Sequence, residues 1–275
     1  MVIMRRILLH IYDDECFEAR LQVALDISRR FSGHLTCIQA VPYDYGVPND
    51  FYGTMAAQMI VDYERIAKKA KEQIEARLAK EDVPWNWIKG RGSAALAIAH
   101  YAPLHDLVVV GALNPDGKAT SPSRLVSELL ERVRAPILVV PKSLRSFDLD
   151  GPAAVAWNNS AESAHALRAA MPVLKLASSV HVLTIREKKE AGRFDLPSTK
   201  ASEYLADDGI KSELTELPED ESASIAEILL EAAQARQAGY IVMGAYGHSR
   251  FRERVLGGVT HDMLKDPAIP LLLSH

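Results

Sequence analysis

Ile241 to Leu264 reads IVMGAYGHSRFRERVLGGVTHDML, a strand, a glycine turn, a loop and a helix start in succession. Ile241 to Met243 is a short apolar run of the kind expected of a strand covered on both faces. Gly244 and Gly247 break it, and Gly257-Gly258-Val259-Thr260 opens a short helical run. Glycine has no Cβ, so its backbone can approach a ligand closely. A helix N-terminus offers unpaired N–H groups and the positive end of its dipole, so the whole segment favours an anion. Thr260 adds a hydroxyl able to donate to a phosphate oxygen or to ligate a phosphate-bound cation. His248 follows Gly247, and Arg250, Arg252 and Arg254 lie between the glycine pairs. Turns use glycine constantly, so the weight falls on the spacing.

The landmarks around this stretch occur twice. Leu107 to Val110 runs into Gly111-Ala112 as Ile241 to Met243 runs into Gly244-Ala245, and Ala135 to Val140 matches Ala268 to Leu273. Near the start, Ile7 to Ile11 is an apolar strand with an acidic turn, a helical run from Ala19 to Phe31 and a strand from Leu35 to Val41. Ala153 to Trp157 repeats this, with a turn at Asn158-Asn159-Ser160, a helix over Ala161 to Ala177 and a strand over Val180 to Ile185. The chain reads as a tandem duplication. Its boundary falls near Pro141 to Gly151, where Pro, Ser, Asp and Gly interrupt the apolar pattern, giving domains over residues 1–145 and 146–275. Strands alternating with helices predict an α/β fold, a parallel sheet with helices on both faces. Ligands of such sheets sit past the carboxyl ends of the strands, where the Gly244 turn lies.

Gly244, two residues, Gly247, nine residues, Gly257, then Gly258-Val259-Thr260: this spacing resembles the nucleotide-binding loop of the universal stress protein family, in its ATP-binding branch. The resemblance covers nearly the whole chain in architecture and the last third in specific motif. It implies two tandem adenine-nucleotide α-hydrolase-like (Rossmann-like) domains, each a five-stranded parallel sheet. It further implies ATP, with Mg2+, held at its phosphates by Gly244, Gly247, Gly257, Gly258, Val259 and Thr260; His248, by its place in the loop, is a candidate to touch a phosphate, against a plain surface histidine. Ribose and base would meet Ala156, Trp157 and Met243, and Ile185 would offer a backbone contact to adenine. Asn158 stands where the family has an aspartate that reaches adenine; its side chain keeps an acceptor oxygen and adds donors. Aligning Pro136 with Pro270 puts Ser123, Arg124 and Val126 at the places of Gly257, Gly258 and Thr260. The first half is therefore not expected to bind ATP in the family manner.

The remaining features are read more plainly. With 275 residues, 48% hydrophobic and 25% charged, the composition is that of a soluble globular protein, and a formal charge of −4 gives no footprint for nucleic acid. Cys16 and Cys37 make neither a disulfide framework nor a zinc spacing, which suits a reducing cytoplasm. No run approaches the ~18 apolar residues of a membrane span. Gly90-Arg91-Gly92-Ser93-Ala94-Ala95 mimics a dinucleotide fingerprint but lies mid-domain, and Ser93 reads better as a helix cap. Gly111 to Thr120 mimics a phosphate-binding P-loop with one residue too many between the glycines, and reads as a turn-rich loop. His181 is expected as an ordinary strand histidine, and Ser160, Glu162 and His165 as a cap and helix surface rather than a triad. Pro42 to Tyr52 reads as a loop. The stripe Met55, Met59, Tyr63, Ile66, Ala70, Ile74 and Leu78 reads as core or a partner surface, and Arg186 to Asp208 as loop plus a short helix.

The function these readings favour is regulatory: a stress-response module that binds ATP in its second half and acts through conformation or association. An ATPase or phosphotransferase is the alternative, although no carboxylate or glutamine in the loop is placed to orient a water; an interaction scaffold without nucleotide is the other. The last strands, Ile137 to Val140 and Leu271 to Leu273, would each be a sheet edge, and edges seek pairing. They are expected to meet within one chain as an internal pseudo-dimer, leaving a further homodimer open.

Overall fold

The computed structural model describes residues 4–41, 51–113, 122–185, 196–220, 222–245 and 257–275, with the backbone alone at 51–60, 62 and 63. The first half runs β1 (Arg6–Ile11), α1 (Phe17–Arg30), β2 (His34–Val41), α2 (Phe51–Leu78), β3 (Trp85–Arg91), α3 (Ala94–Tyr101), β4 (Leu107–Gly111), α4 (Arg124–Arg132) and β5 (Ile137–Val140). The second runs β6 (Ala153–Ala156), α5 (Ala161–Leu174), β7 (Val180–Ile185), α6 (Lys200–Asp207), β8 (Ser212–Leu217), α7 (Ile225–Ala235), β9 (Ile241–Gly244), α8 (Gly258–Lys265) and β10 (Leu271–Ser274).

All of these strands join one ten-stranded sheet in the order β3-β2-β1-β4-β5-β10-β9-β6-β7-β8. Pairs within each half are parallel. The two halves meet through an antiparallel pair, Leu271 with Val139, Leu272 with Leu138 and Leu273 with Ile137. The expected meeting of the last strands thus takes place, and it fuses the two five-stranded sheets. Because the seam is antiparallel, the carboxyl ends of the two halves point in opposite directions.

Alternate strand residues feed two cores, as the period of two requires. Val155, Trp157, Val242 and Leu272 enter one core with residues of α1 and α5, and Ala154, Met243, Leu271 and Leu273 enter the other with residues of α3, α4, α7 and α8. Both cores run through both halves. Phe147 and Leu149 of the connecting segment are buried in the first core, and the Phe147 ring lies 5.5 Å from that of Tyr240. Among the described residues no helix is long and apolar enough to cross a membrane.

Several local readings are adjusted. The helix begun at Ala161 ends at Leu174, short of Ala177. Among the described side chains of the α2 stripe, Ile74 and Leu78 are buried, whereas Ile66 is 58% exposed. The side chains of Met55, Met59 and Tyr63 lie outside the described residues, as does 42–50 of the loop read over Pro42 to Tyr52, whose last residues already belong to α2. The fingerprint-like glycines are structural. A Cβ at Gly90 would stand 2.6 Å from that of Ala97, Gly92 takes φ +94, and Ser93 Oγ accepts the Leu96 N–H at 3.3 Å. Of the loop from Gly111 to Thr120, residues 114–120 lie outside the described set, as do 186–195 of the segment that ends in α6.

Candidate functional site

The described second-half residues named for the site gather at the carboxyl ends of β6, β7 and β9 and at the start of α8. Ala156 pairs with Met243 across neighbouring strands, and Ile185 is the last residue of β7. Ala156, Ile185, Met243 and Val259 all pack into the same core, on the α7 and α8 side of the sheet. Trp157 points the other way, 3% exposed in the opposite core; its indole N–H has no partner among the described residues. It fills core and takes no place in the cleft.

Beyond β6 the chain turns through Asn159, at φ +66, into α5. Asn158 is exposed, and its Oδ1 accepts from Ser160 Oγ at 2.7 Å and from the Ser160 N–H at 3.3 Å. The acceptor oxygen is thus engaged in the turn, leaving the amide donors for any base. Ser160 caps α5 by accepting the Ser163 N–H at 3.2 Å, the capping role expected of it.

The glycines of the loop divide by physical cause. A Cβ at Gly244 would lie 2.6 Å from Glu162 C and Ser163 N, so this glycine is required by the close approach of β9 to the first turn of α5. A Cβ at Gly258 would meet nothing within 4 Å. Packing does not ask for glycine there; open space lies beside the first turn of α8, whose N-cap is Gly257. Thr260 is 5% exposed, and its hydroxyl has no hydrogen-bond partner among the described residues. Gly247, His248, Arg250, Arg252 and Arg254 lie outside the described residues. Among those described, no group of three or more His, Cys, Asp or Glu is placed to hold a metal ion.

The model of the universal stress protein family matches residues 152–275. This part of the chain is a universal stress protein domain. No curated protein matches the chain in sequence. In structure, the chain is similar to a universal stress protein of Archaeoglobus fulgidus DSM 4304, with 16% identity, 98% of this chain and 97% of that chain covered, and a TM-score of 0.70. It is also similar to a functionally unknown protein of Pseudomonas aeruginosa PAO1, with 16% identity, 98% and 92% covered, and a TM-score of 0.60. At such identities the likeness shows the shared fold of the full chain.

Outside the universal stress protein domain, the first half has the same frame with different fittings. Arg124 and Ile137 begin α4 and β5, Gly258 and Leu271 begin α8 and β10, and each pair is 134 residues apart. Arg124 therefore stands at the place of Gly258, paired to Glu128 at 2.9 Å, and Ser123, buried, at the place of Gly257. The turn after β1 is closed by Arg20, which is fully buried: its Nε donates to His10 O at 2.8 Å, its Nη1 to Asp14 Oδ1 at 2.5 Å and its Nη2 to Tyr12 O. Gly111 repeats the role of Gly244, since a Cβ there would lie 2.7 Å from Cys16 Cβ.

Sequence reasoning passed over Arg134 and His275, which meet at the rim of the second half. Their side chains are 2.8 Å apart across 141 positions of sequence. The signal available was the pairing expected between the last strands: once they run antiparallel, residues before one lie beside residues after the other.

Proposed function

We propose that residues 146–275 form a nucleotide-binding domain that takes ATP with Mg2+, and that residues 1–145 form a companion domain of the same fold that does not take ATP in this manner. The observation that carries the reading is the open space beside Gly258, set against Arg124 at the equivalent place of the first half. The N–H groups of Gly257, Gly258 and Val259 would donate to phosphate oxygens. The Thr260 hydroxyl would meet a phosphate oxygen or the phosphate-bound Mg2+. Ala156 and Met243 would line the ribose and base, with Ile185 offering its backbone and Asn158 its amide donors. Gly247 and His248 enter by the sequence motif, and Gly244 acts one step removed, by letting α5 seat against the strand. The domain acts as a cytoplasmic stress-response regulator whose conformation or association follows its nucleotide, with no residue committed to catalysis.

Titration calorimetry with ATP and Mg2+ tests this with two glycine variants. Gly258→Ala removes a helix-destabilising glycine and is expected to raise stability by ~0.5–1 kcal/mol. Its methyl group stands where a phosphate would lie, and the loss of one charged hydrogen bond of ~1.4 kcal/mol or more weakens ATP about tenfold. Gly244→Ala is expected instead to cost ~1–3 kcal/mol of stability, by overpacking against backbone. ATP affinity left unchanged in Gly258→Ala, or no binding by the native chain, would sink the reading; steady turnover of bound ATP would move it to the enzyme class.

A further inference from the structure

The antiparallel seam carries residues of one half to the rim of the other. Ile137 pairs with Leu273, so the residues just before β5 lie beside those just after β10. Arg134 Nη1 reaches 2.8 Å from His275 Nε2 there. Burial first, and the Arg134 cation second, hold the His275 imidazole below its usual pKa, so near neutral pH the ring accepts from the guanidinium. Glu162 and His165 of α5 act on His275 as well, and the Glu162–Ser163 backbone is the one Gly244 packs against. The Ala245 N–H donates to Ser274 O at 2.9 Å, closing the end of β9 against the end of β10. Arg134 thus stands at the carboxyl end of the second half although it belongs to the first.

Arg20, Arg29, Arg30, Arg77 and Arg124 each hold a carboxylate. Arg134 is exposed and has none within 4.0 Å among the described residues. The opposite rim carries the opposite charge: Lys142 is held by Glu15 at 2.8 Å, and Asp266, just before β10, acts on it as well. The crossover therefore carries a cation, Arg134, to the rim of the second half and an anion, Asp266, to that of the first.

We infer that Arg134 is an anion-anchoring residue of the second-half site, so that a polyphosphate ligand is held by both halves of the chain. This rests on the reading that the second half binds ATP. The first half keeps a function in the site although Arg124 stands in it at the place of Gly258. The full chain carrying Arg134→Gln, Arg134→Lys or, as control, Arg132→Gln is titrated with ATP at low and high salt. Arg134→Gln is expected to weaken ATP roughly tenfold at low salt, with the gap to native protein narrowing at high salt as screening removes the charge contribution. Arg134→Lys should retain most of the affinity, and Arg132→Gln all of it, with melting temperatures in the absence of ATP unchanged throughout. Native-like affinity in Arg134→Gln overturns the inference and leaves the ATP reading standing. An affinity loss that lysine does not restore and salt does not alter also overturns it. A native chain that binds no ATP removes both.

Discussion

His10 shows how one residue distinguishes two copies of the same frame. Leu9 pairs with Val109 as Val155 pairs with Val242, so His10 occupies in the first half the place of Ala156 in the second. Its ring is 6% exposed and stacks on Tyr12 at 6.0 Å and 10°. Burial, and then the charge of Arg20, push its pKa down to about 3. The folded chain therefore holds His10 neutral, whereas the unfolded chain protonates it near pH 6.5. Its contribution is complete above about pH 6.5 and is lost as pH falls from there towards 3, at roughly 1.4 kcal/mol per pH unit. A His10→Leu variant is expected to show a flatter fall in urea midpoint between about pH 6.5 and 4 than the native chain; parallel curves would remove His10 as the cause. The sequence made the glycine spacing legible at this scale, but not the cause of each glycine. Gly90, Gly111 and Gly244 are imposed by a neighbouring helix, and Gly258 by none.

At the scale of elements, helix starts were legible because their chemistry is local: Ser93 and Ser160 cap α3 and α5 with their own hydroxyls. Helix faces were legible as faces and not as contacts. The α2 stripe has helical spacing, yet among its described side chains Ile74 and Leu78 are in the core and Ile66 is exposed; polar contacts, Arg77 with Glu18 and Lys89 with Glu64, hold the helix elsewhere. Periodicity shows which residues share a side; whether anything covers that side depends on distant chain. Leu78→Ala is accordingly expected to cost ~2–5 kcal/mol by leaving a cavity, and Ile66→Ala to stay within about 0.5 kcal/mol of native in the same denaturant titration. Equal costs would mean that the exposed part of α2 is covered in solution.

Across the whole molecule, the seam makes one body of two copies. Leu138 and Leu272 pair across it within a core that runs through both halves. Phe147 and Leu149 seal the connection, and Arg30 holds Asp150 at 3.0 Å. Calorimetry is therefore expected to show a single unfolding transition. Leu272→Ala should lower the stability of both halves together by ~2–5 kcal/mol. Two separable transitions, with one unmoved by the substitution, would show instead that the halves fold apart.

The amino-acid sequence by itself determined the duplication, the alternation of strand and helix and the glycine spacing of the second half. Periodicity and the absence of a Cβ belong to the chain whatever surrounds it. The tertiary structure decided which glycines are packing and which stand beside open space, that Trp157 is core, and that Arg134 arrives at the far rim. Those facts follow from contacts between residues as many as 141 positions apart, which an antiparallel seam creates and no local pattern encodes.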